Sequence, residues 1–165
     1  MTACLPSLES REPNMEPSPN QLLLPPTRLA LIPSPVREIS LNGHSGYNLV
    51  NDRIALHADE IANNRTPGNL SGSLSLELWA LPAPYQGGAF FGGHLVAGCS
   101  LQPLSGQNCY RNLYHEQQAQ TPPPGVWYLA LMIREWDMAA YVTRDHMTFP
   151  QPVRADSITA LNLAG

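Results

Sequence analysis

The sequence predicts an all-β protein: an antiparallel β-sandwich of immunoglobulin-like outline with an extended proline-rich N-terminal arm. The first observation is the stretch 73–81, where leucine occupies every second position from Leu74 to Leu78 and Ser73, Ser75 and Glu77 fill the alternate positions. A period of two places the leucines on one face of a strand and the polar residues on the other. One packed and one wet face is typical of antiparallel sheets. The second observation is a series of short strand-like segments at 8–12-residue spacing with Gly and Pro turns between them, which favours a sandwich.

The N-terminal 35 residues form a distinct segment, because they hold eight of the 17 prolines. Proline fixes φ and removes a backbone donor, so residues 1–35 are expected to be extended or polyproline-like rather than a helix or a central strand. The apolar patch Leu22, Leu23 and Leu24 is the part of this arm that could anchor on a neighbour. We expect an arm at 1–35, a sandwich domain at 36–150 and a loop-like C-terminal tail at 151–165.

Extended segments follow one another along the rest of the chain, separated by turn-forming residues. Clusters of Asn, Gly, Ser and Pro predict a turn at 42–46, a long loop at 63–72, a glycine-rich loop at 87–93 and a rigid turn at 121–125. The predicted strands are 28–32, 36–41, 53–58, 74–81, 94–101, 109–114, 126–133 and 139–143. Residues 126–133 are apolar at both odd and even positions, which indicates a strand that is buried on both faces or lies centrally in the sandwich.

Part of the chain resembles a known type of domain. The string Asn63-Asn64-Arg65, Gly68 to Gly72, Leu74 to Leu81 and Pro84-Tyr85 is similar to an N-R…SG-x-L-x-L-E-L-W-A…PY pattern. This pattern belongs to a poorly characterised bacterial β-sandwich module, in which a second strand follows a P-P-x-G turn, as at 123–128 here. The resemblance covers roughly residues 38–150. It implies an accessory or binding domain, and it transfers no catalytic residue.

Composition excludes several function classes. All nine basic residues are Arg, the formal net charge is −4, and only 13% of the residues are charged. The absence of Lys excludes Schiff-base chemistry, a P-loop lysine and a lysine general base. The arginines are scattered in an acidic chain, so the sequence shows no basic patch for nucleic acid.

The longest apolar run is far shorter than the ~20 residues of a membrane-spanning helix, which leaves only peripheral membrane association open. The N-terminus lacks the pattern of a signal peptide, so we expect a cytoplasmic protein.

The three cysteines are Cys4, Cys99 and Cys109. An odd number without a CxxC spacing is neither a disulfide framework nor a zinc site. A bridge between Cys99 and Cys109 across a hairpin is an alternative to two half-buried free thiols, and we favour the free thiols.

Candidate metal and catalytic groups are present but do not form a recognised motif. His57 and Asp59 share a face of a strand, and Glu60, Asn63 and Asn64 follow. The oxygen atoms of Asp59, Glu60, Asn63 and Asn64 could be ligands to Ca²⁺, but the chain has no D-x-[DN]-x-[DN]-G pattern, and Asp and Asn are also ordinary in turns. The five histidines are dispersed, without the short spacing that is common in zinc sites. The chain also has no G-x-S-x-G string. We therefore expect no metal and no cofactor.

Glu77 and Glu135 could be proposed as the two carboxylates of a glycosidase. Solvated carboxylates, or ion-pair partners of Arg65 and Arg134, are the favoured interpretation. Asn69-Leu70-Ser71 matches an N-glycosylation acceptor, but in a protein without a secretory signal it is interpreted as turn chemistry.

Exposed aromatic residues provide the remaining candidates for binding. A sugar-binding sandwich would use aromatics such as Tyr85, Phe90, Phe91, Tyr110 and Tyr114, whereas the favoured alternative is that these side chains plug the open ends of the sandwich. Glycines on both sides let the pair Phe90-Phe91 project as an anchor for a protein partner.

We therefore predict a non-enzymatic accessory subunit or adaptor that docks onto a larger protein assembly. The predicted partner-binding residues are Leu22, Leu23, Leu24, Tyr85, Phe90 and Phe91. A carbohydrate-binding module is the first alternative, and a hydrolase whose site is assembled only by the fold is the second.

Overall fold

A computed structural model describes residues 37–156 and 161–163. Over these residues the protein is all-β, with nine strands and no helix. The predicted arm at 1–35, with the strand expected at 28–32, lies outside the described residues. The strands are β1 (Ile39–Val50), β2 (Arg53–Asn63), β3 (Leu74–Leu81), β4 (His94–Leu101), β5 (Cys109–Gln118), β6 (Gly125–Trp136), β7 (Tyr141–Thr148), β8 (Val153–Ala155) and β9 (Leu161–Leu163).

The strands form two antiparallel sheets. The first has the order β1-β2-β5. The second has the order β4-β3-β6, and both β7 and β8 pair with the side of β6 that faces away from β3. Along that side β8 pairs with the first three residues of β6, and β7 pairs with its second half. β9 then extends the sheet beyond β8. The prediction of an all-β protein with antiparallel sheets is confirmed.

Both sheets contribute side chains to one hydrophobic core. Alternate positions of β2, β3 and β6 point into it, as a period of two requires. Burying a Leu or Ile side chain contributes about 1.5–3 kcal/mol, so this cluster is the main source of stability. Its largest fully buried members are Ile39, Ile54, Leu56, Ile61, Leu74, Leu76, Leu78, Val96, Leu129, Leu131 and Ile133.

Several predicted elements are confirmed in detail. β3 and β4 have the predicted bounds, since the alternation and the flanking prolines and glycines mark both ends. β6 lies between strands on both sides, and its outer-face residues Ala130 and Met132 are as buried as its core residues. The burial that the apolar run predicted is therefore present at 129–133, whereas Val126 is 54% exposed and Trp127 and Tyr128 are half-buried.

Other predictions were wrong because strands tolerate turn-forming residues. The turn expected at 42–46 is a β-bulge inside β1, where the register with β2 shifts between Asn42 and Ser45 and Gly43 has a φ of 73°. The strand expected at 139–143 is instead β7, from Tyr141 to Thr148. Residues after Pro150, expected to be loop, include β8, which pairs with β6.

The polar face of β3 is not wet, which corrects the expectation from its alternating pattern. Ser75 is 6% exposed and Glu77 is 8% exposed. Trp79 and Arg134 lie beside Glu77, and residues 82–93, which connect β3 to β4, cover this part of the sheet. We call residues 82–93 the cover loop.

Among the described residues, no helix is long and apolar enough to span a membrane.

Candidate functional site

The cover loop folds back onto the outer face of the second sheet. Three glycines of this loop have positive φ values, which residues with a side chain rarely adopt. The values are 103° at Gly87, 81° at Gly88 and 68° at Gly92. The Tyr85 hydroxyl donates to the Gly88 carbonyl oxygen at 2.6 Å and closes the turn. Tyr85 is buried against the sheet, and its ring meets the His146 ring edge-on at 4.7 Å. The loop is thus attached to the sheet through Tyr85.

The two phenylalanines of the loop point in different directions. Phe90 is half-buried and packs edge-on against Trp79 at 4.9 Å and against Tyr85 at 5.8 Å. Phe91 is 86% exposed. Of the predicted partner-binding residues, Tyr85 and Phe90 therefore face inward and Phe91 projects, while Leu22, Leu23 and Leu24 lie outside the described residues.

An ion pair between the buried Glu77 and the half-buried Arg134 lies under the loop. Arg134 Nη1 donates to Glu77 Oε2 at 3.1 Å, and Trp79 Nε1 donates to the same oxygen at 2.7 Å. Arg134 Nη2 donates to the Tyr141 carbonyl oxygen at 2.6 Å. Of the two interpretations that the sequence left open for Glu77, the ion-pair partner is confirmed and the solvated carboxylate is wrong. Glu77 neutralises the charge of Arg134.

Aromatic rings surround the guanidinium group. Its central carbon lies 5.7 Å from the Trp79 ring centre, 5.4 Å from that of Phe90 and 5.9 Å from that of Tyr141. These distances allow cation–π attraction, which strengthens as water is removed. Arg134 Nε is buried and donates to no group in the described part of the chain, and a buried donor of this kind calls for an explanation.

A cavity of about 450 Å³ opens between the cover loop and the β6–β7 hairpin. This volume is within the range of ligand pockets in proteins. Three aromatic side chains and the Arg134 guanidinium form much of its wall. The lining residues are Trp79, Gly88, Ala89, Phe90, Arg134, Ala140, Tyr141, Val142 and Thr143.

Large apolar side chains are exposed in the two segments that line most of this cavity, the cover loop and the β6–β7 hairpin. Trp136, whose ring lies 5.4 Å from that of Tyr141, is 42% exposed, and Met138 at the hairpin turn is 91% exposed. Asp137 holds the turn by accepting hydrogen bonds from the Ala139 and Ala140 backbone. We call the three exposed residues Phe91, Trp136 and Met138 the contact face.

Glu135 belongs to a separate ionic cluster. Its carboxylate accepts from Arg65 Nη1 and Nη2 at 2.7 and 2.8 Å, from Arg144 Nε at 2.6 Å and from the Gly72 backbone at 2.9 Å. Burial acts to raise the pKa of Glu135, but the bonds from Arg65, Gly72 and Arg144 together outweigh it and lower the pKa to about 2. Arg65 also donates to Glu38 at 2.8 Å.

The two glutamates cannot act as a glycosidase pair. Glu135 lies opposite Leu74 of β3, on the core side of the sheet, whereas Glu77 lies opposite Met132, on the outer side. Directly opposed residues of neighbouring strands share a face, so the two carboxylates project from opposite faces. Such enzymes need both groups on one substrate.

The residues considered as calcium ligands form hydrogen bonds with different partners. Asp59 accepts from the His44 backbone at 2.8 Å, and Glu60 accepts from the Asn42 side chain at 2.9 Å. Asn63 is buried, and its Nδ2 donates to the Leu104 carbonyl oxygen at 2.7 Å. Within residues 37–156 and 161–163, no group of three or more His, Cys, Asp or Glu side chains is arranged to hold a metal ion.

Cys99 and Cys109 are free thiols in different sheets, on β4 and β5. The alternative of a bridge across a hairpin is therefore wrong, because β4 and β5 do not pair. Burial raises the pKa of the Cys99 thiol. Cys4 lies outside the described residues.

The five aromatic residues considered for sugar binding do not form one platform. Tyr110 packs against the core, and its hydroxyl donates to the Gln102 carbonyl oxygen at 3.0 Å. Tyr114 is 67% exposed on the first sheet, opposite His57.

Asn69, the first residue of the string that matches an N-glycosylation acceptor, lies in a turn. Its backbone N–H donates to the Thr66 carbonyl oxygen at 3.2 Å.

Sequence reasoning missed Trp79, Trp136, Met138 and Tyr141 as site residues. Trp79 and Trp136 do occupy the alternate, non-leucine positions of β3 and β6. That signal can be used only once the pairing of these two strands is known.

Comparisons of the chain with protein-family models, with curated proteins and with solved structures gave no match.

Proposed function

We propose that this protein is a non-enzymatic accessory or structural subunit that docks onto a larger protein assembly. The observation that carries the proposal is the contact face, where Phe91, Trp136 and Met138 are 86%, 42% and 91% exposed. They belong to the cover loop and the β6–β7 hairpin, the two segments that supply most of the cavity lining. Aromatic residues and Met are enriched in protein interfaces, and a few such anchors supply most of the binding energy.

We also propose that the scaffold is an immunoglobulin-like sandwich. The strand order supports this: β1, β2 and β5 form one sheet, and β3, β6 and β7 lie together in the other. In immunoglobulin constant domains the first, second and fifth strands likewise share one sheet, and the third, sixth and seventh share the other. Here the fourth strand pairs with the third rather than the fifth. Such a scaffold presents its loops from a rigid core.

The arm at 1–35 completes the proposed mode of docking. Ordering an extended segment costs about 1–2 kcal/mol per residue, so apolar anchors such as Leu22, Leu23 and Leu24 are needed to offset that cost. The net charge of −4 and the absence of Lys favour a protein partner over nucleic acid.

The test is a native pull-down of the tagged full-length chain from its source, with mass spectrometry of the co-purifying chains. We expect the same larger proteins to be recovered reproducibly. The double variant Phe91→Ser/Met138→Ser should lose them. The matched control Tyr114→Ser/Val50→Ser, which changes two exposed side chains of the first sheet, should retain them. Equal recovery by both double variants, or a protein that runs as a free monomer in native extracts, contradicts the proposal.

A second variant tests the arm in the full-length chain. Leu22→Ser/Leu23→Ser/Leu24→Ser should weaken recovery of the same partner chains. Leu5→Ser/Leu8→Ser, a change of the same kind elsewhere in the arm, should leave recovery unchanged. If both arm variants behave like the wild type, the arm has no part in docking.

A carbohydrate-binding module is the second candidate, favoured by the exposed rings of Phe91 and Trp136. It predicts retention on a polysaccharide column that Phe91→Ala weakens. Absence of retention on every neutral polysaccharide tested argues against it.

A further inference from the structure

We propose that residues 34–36 of this chain, which precede the described residues, occupy the cavity beside Arg134. The root of the N-terminal arm then closes the space between the cover loop and the β6–β7 hairpin. This contact goes beyond the proposed function, because it forms within one molecule and is independent of any partner. Three observations support it: where the described chain begins, in which direction it runs, and what the cavity wall offers.

The described chain begins beside β7, and several polar contacts hold it there. Arg37 Nη1 pairs with Asp145 Oδ1 of β7, and Asn64 Nδ2 donates to the Arg37 carbonyl oxygen at 2.7 Å. The Glu38 carboxylate lies 3.5 Å from Arg144 of β7, and the Glu38 carbonyl oxygen accepts from the Asn64 backbone at 2.8 Å. The point from which residues 34–36 extend is therefore fixed next to this strand.

β1 and β7 run in the same direction, although they belong to different sheets. The Leu41 backbone donates to Asp145 at 2.9 Å, and further along both segments the Tyr47 ring meets the Phe149 ring edge-on at 4.9 Å. Packed sheets keep their strand directions within about 30° of each other. Followed backwards from Arg37, the chain therefore points towards the start of β7 and the β6–β7 hairpin.

Residues 34–36 reach the level of the cavity without a turn. They precede Leu41, which is level with Asp145, by five to seven positions, and the same count back along β7 leads to residues 138–140 of the hairpin. Ala140 is one of the lining residues. In the part of the chain that the structure describes, β7 pairs only with β6, so its second edge is open to this segment.

The chemistry of the segment matches the wall of the cavity. Arg134 Nη1 and Trp79 Nε1 already donate to Glu77, so the wall offers aromatic surface to an apolar occupant. Pro35 and Val36 are apolar, and proline has no backbone N–H that needs an acceptor. The residue before a proline is biased towards an extended backbone, which suits a segment that lies along an edge strand.

The experiment is disulfide trapping in the full-length protein. Ser34→Cys and Ala140→Cys are introduced together after the native cysteines are replaced by serine, and bridge formation with oxidised glutathione is followed over time. We expect a cross-linked monomer that forms about tenfold or more faster than in the control pair Ser34→Cys/Ser100→Cys, because a segment held at the cavity raises the effective concentration of its thiol there. Ser100 is exposed on β4, at the other edge of the same sheet.

A second pair of variants tests the cavity wall. Tyr141→Ala, which removes one ring of the wall, should slow the bridge between positions 34 and 140. Tyr114→Ala, which removes an exposed ring from the other sheet, should leave its rate unchanged. Thermal unfolding of each variant verifies its fold.

Three outcomes overturn the proposal. The first is a bridge between positions 34 and 140 that forms no faster than the control bridge. The second is a bridge whose rate Tyr141→Ala leaves unchanged in a folded variant. The third is a cross-linked dimer in place of the monomer, which would assign the cavity to the arm of a second copy. The pull-down with Phe91→Ser/Met138→Ser is independent of all three, so docking can be upheld even when this site assignment fails.

Discussion

The carboxylate of Glu135 accepts a hydrogen bond from each terminal guanidinium nitrogen of Arg65, at 2.7 and 2.8 Å, across 70 positions of the chain. Two parallel bonds of this kind are stronger and more directional than a single one. The Glu135 side chain is 4% exposed and that of Arg65 is 17% exposed, so solvent screens the pair only weakly. The pair joins the segment after β2, in the first sheet, to β6, in the second.

The first prediction concerns stability in acid. The pKa of Glu135 lies near 2 in the folded protein, against an ordinary value of 4.5. Because the folded pKa is the lower one, the stabilisation is complete above about pH 5 and is lost as the pH falls from 4.5 towards 2. A shift of this size corresponds to about 3 kcal/mol. Urea unfolding between pH 6 and pH 2.5 should show this loss, and Glu135→Gln should flatten the dependence.

The control for this prediction is Glu116→Gln, which alters a carboxylate on an exposed ion pair with Arg53. Exposed pairs contribute about 0–1 kcal/mol, so its stability curve should follow that of the wild type. An unaltered acid dependence in Glu135→Gln would show that other carboxylates cause the loss.

The second prediction concerns the ion pair under the cover loop. Glu77→Ala removes the partner of the half-buried Arg134 guanidinium and should destabilise the protein by about 1–3 kcal/mol, because that charged donor loses its acceptor. Combining Glu77→Ala with Arg134→Met removes the orphaned charge. The double variant should therefore be less destabilised than the sum of the single variants, by about 1–3 kcal/mol. Urea unfolding followed by tryptophan fluorescence measures this coupling, and strictly additive losses would contradict it.

The third prediction concerns the close approach of Gly72 to β6. A Cβ at Gly72 would overlap the Trp136 carbonyl oxygen, which is backbone and cannot rotate away. Gly72→Ala should therefore cost about 2–3 kcal/mol or more through overpacking, and it should also disturb the bond from the Gly72 backbone to Glu135.

Gly98→Ala is the matched control for Gly72→Ala. Its Cβ would meet no atom closer than 3.6 Å, so the change in unfolding free energy should be within about 0.5 kcal/mol. Differential scanning calorimetry of both variants is sufficient. Equal losses for the two would mean that the close contact at Gly72 relaxes at little cost.

The fourth prediction concerns Met138, which has a φ of 78° at the tip of the β6–β7 hairpin. A non-glycine residue in this conformation carries strain of about 1–3 kcal/mol, and glycine relieves it. Met138→Gly should raise the unfolding free energy by up to about 1 kcal/mol while weakening recovery of the partner. Phe91→Ser, which changes another exposed apolar side chain, should leave stability unchanged. A destabilised Met138→Gly would show that the Met138 side chain stabilises the folded protein.

Local patterns of the sequence are sufficient to predict the strands that contribute much of the core. The alternation of Leu74, Leu76 and Leu78 and the unbroken apolar run at 126–133 predicted β3 and the centre of β6, because side-chain direction along an extended backbone follows from local geometry alone. The same patterns predicted two antiparallel sheets. They mispredicted 42–46 and the residues after Pro150, where strand pairing overrides the turn preference of Gly, Asn and Pro.

The site was settled by pairing between distant strands. Glu77 and Arg134 are 57 positions apart, and they meet because β3 and β6 are neighbours in one sheet. The same register sends Glu77 and Glu135 to opposite faces, which no local pattern could predict. Spacing along a chain reports which residues share a face of one strand. Which strands become neighbours depends on the free energy of burying all their faces together, and only the folded chain contains that information.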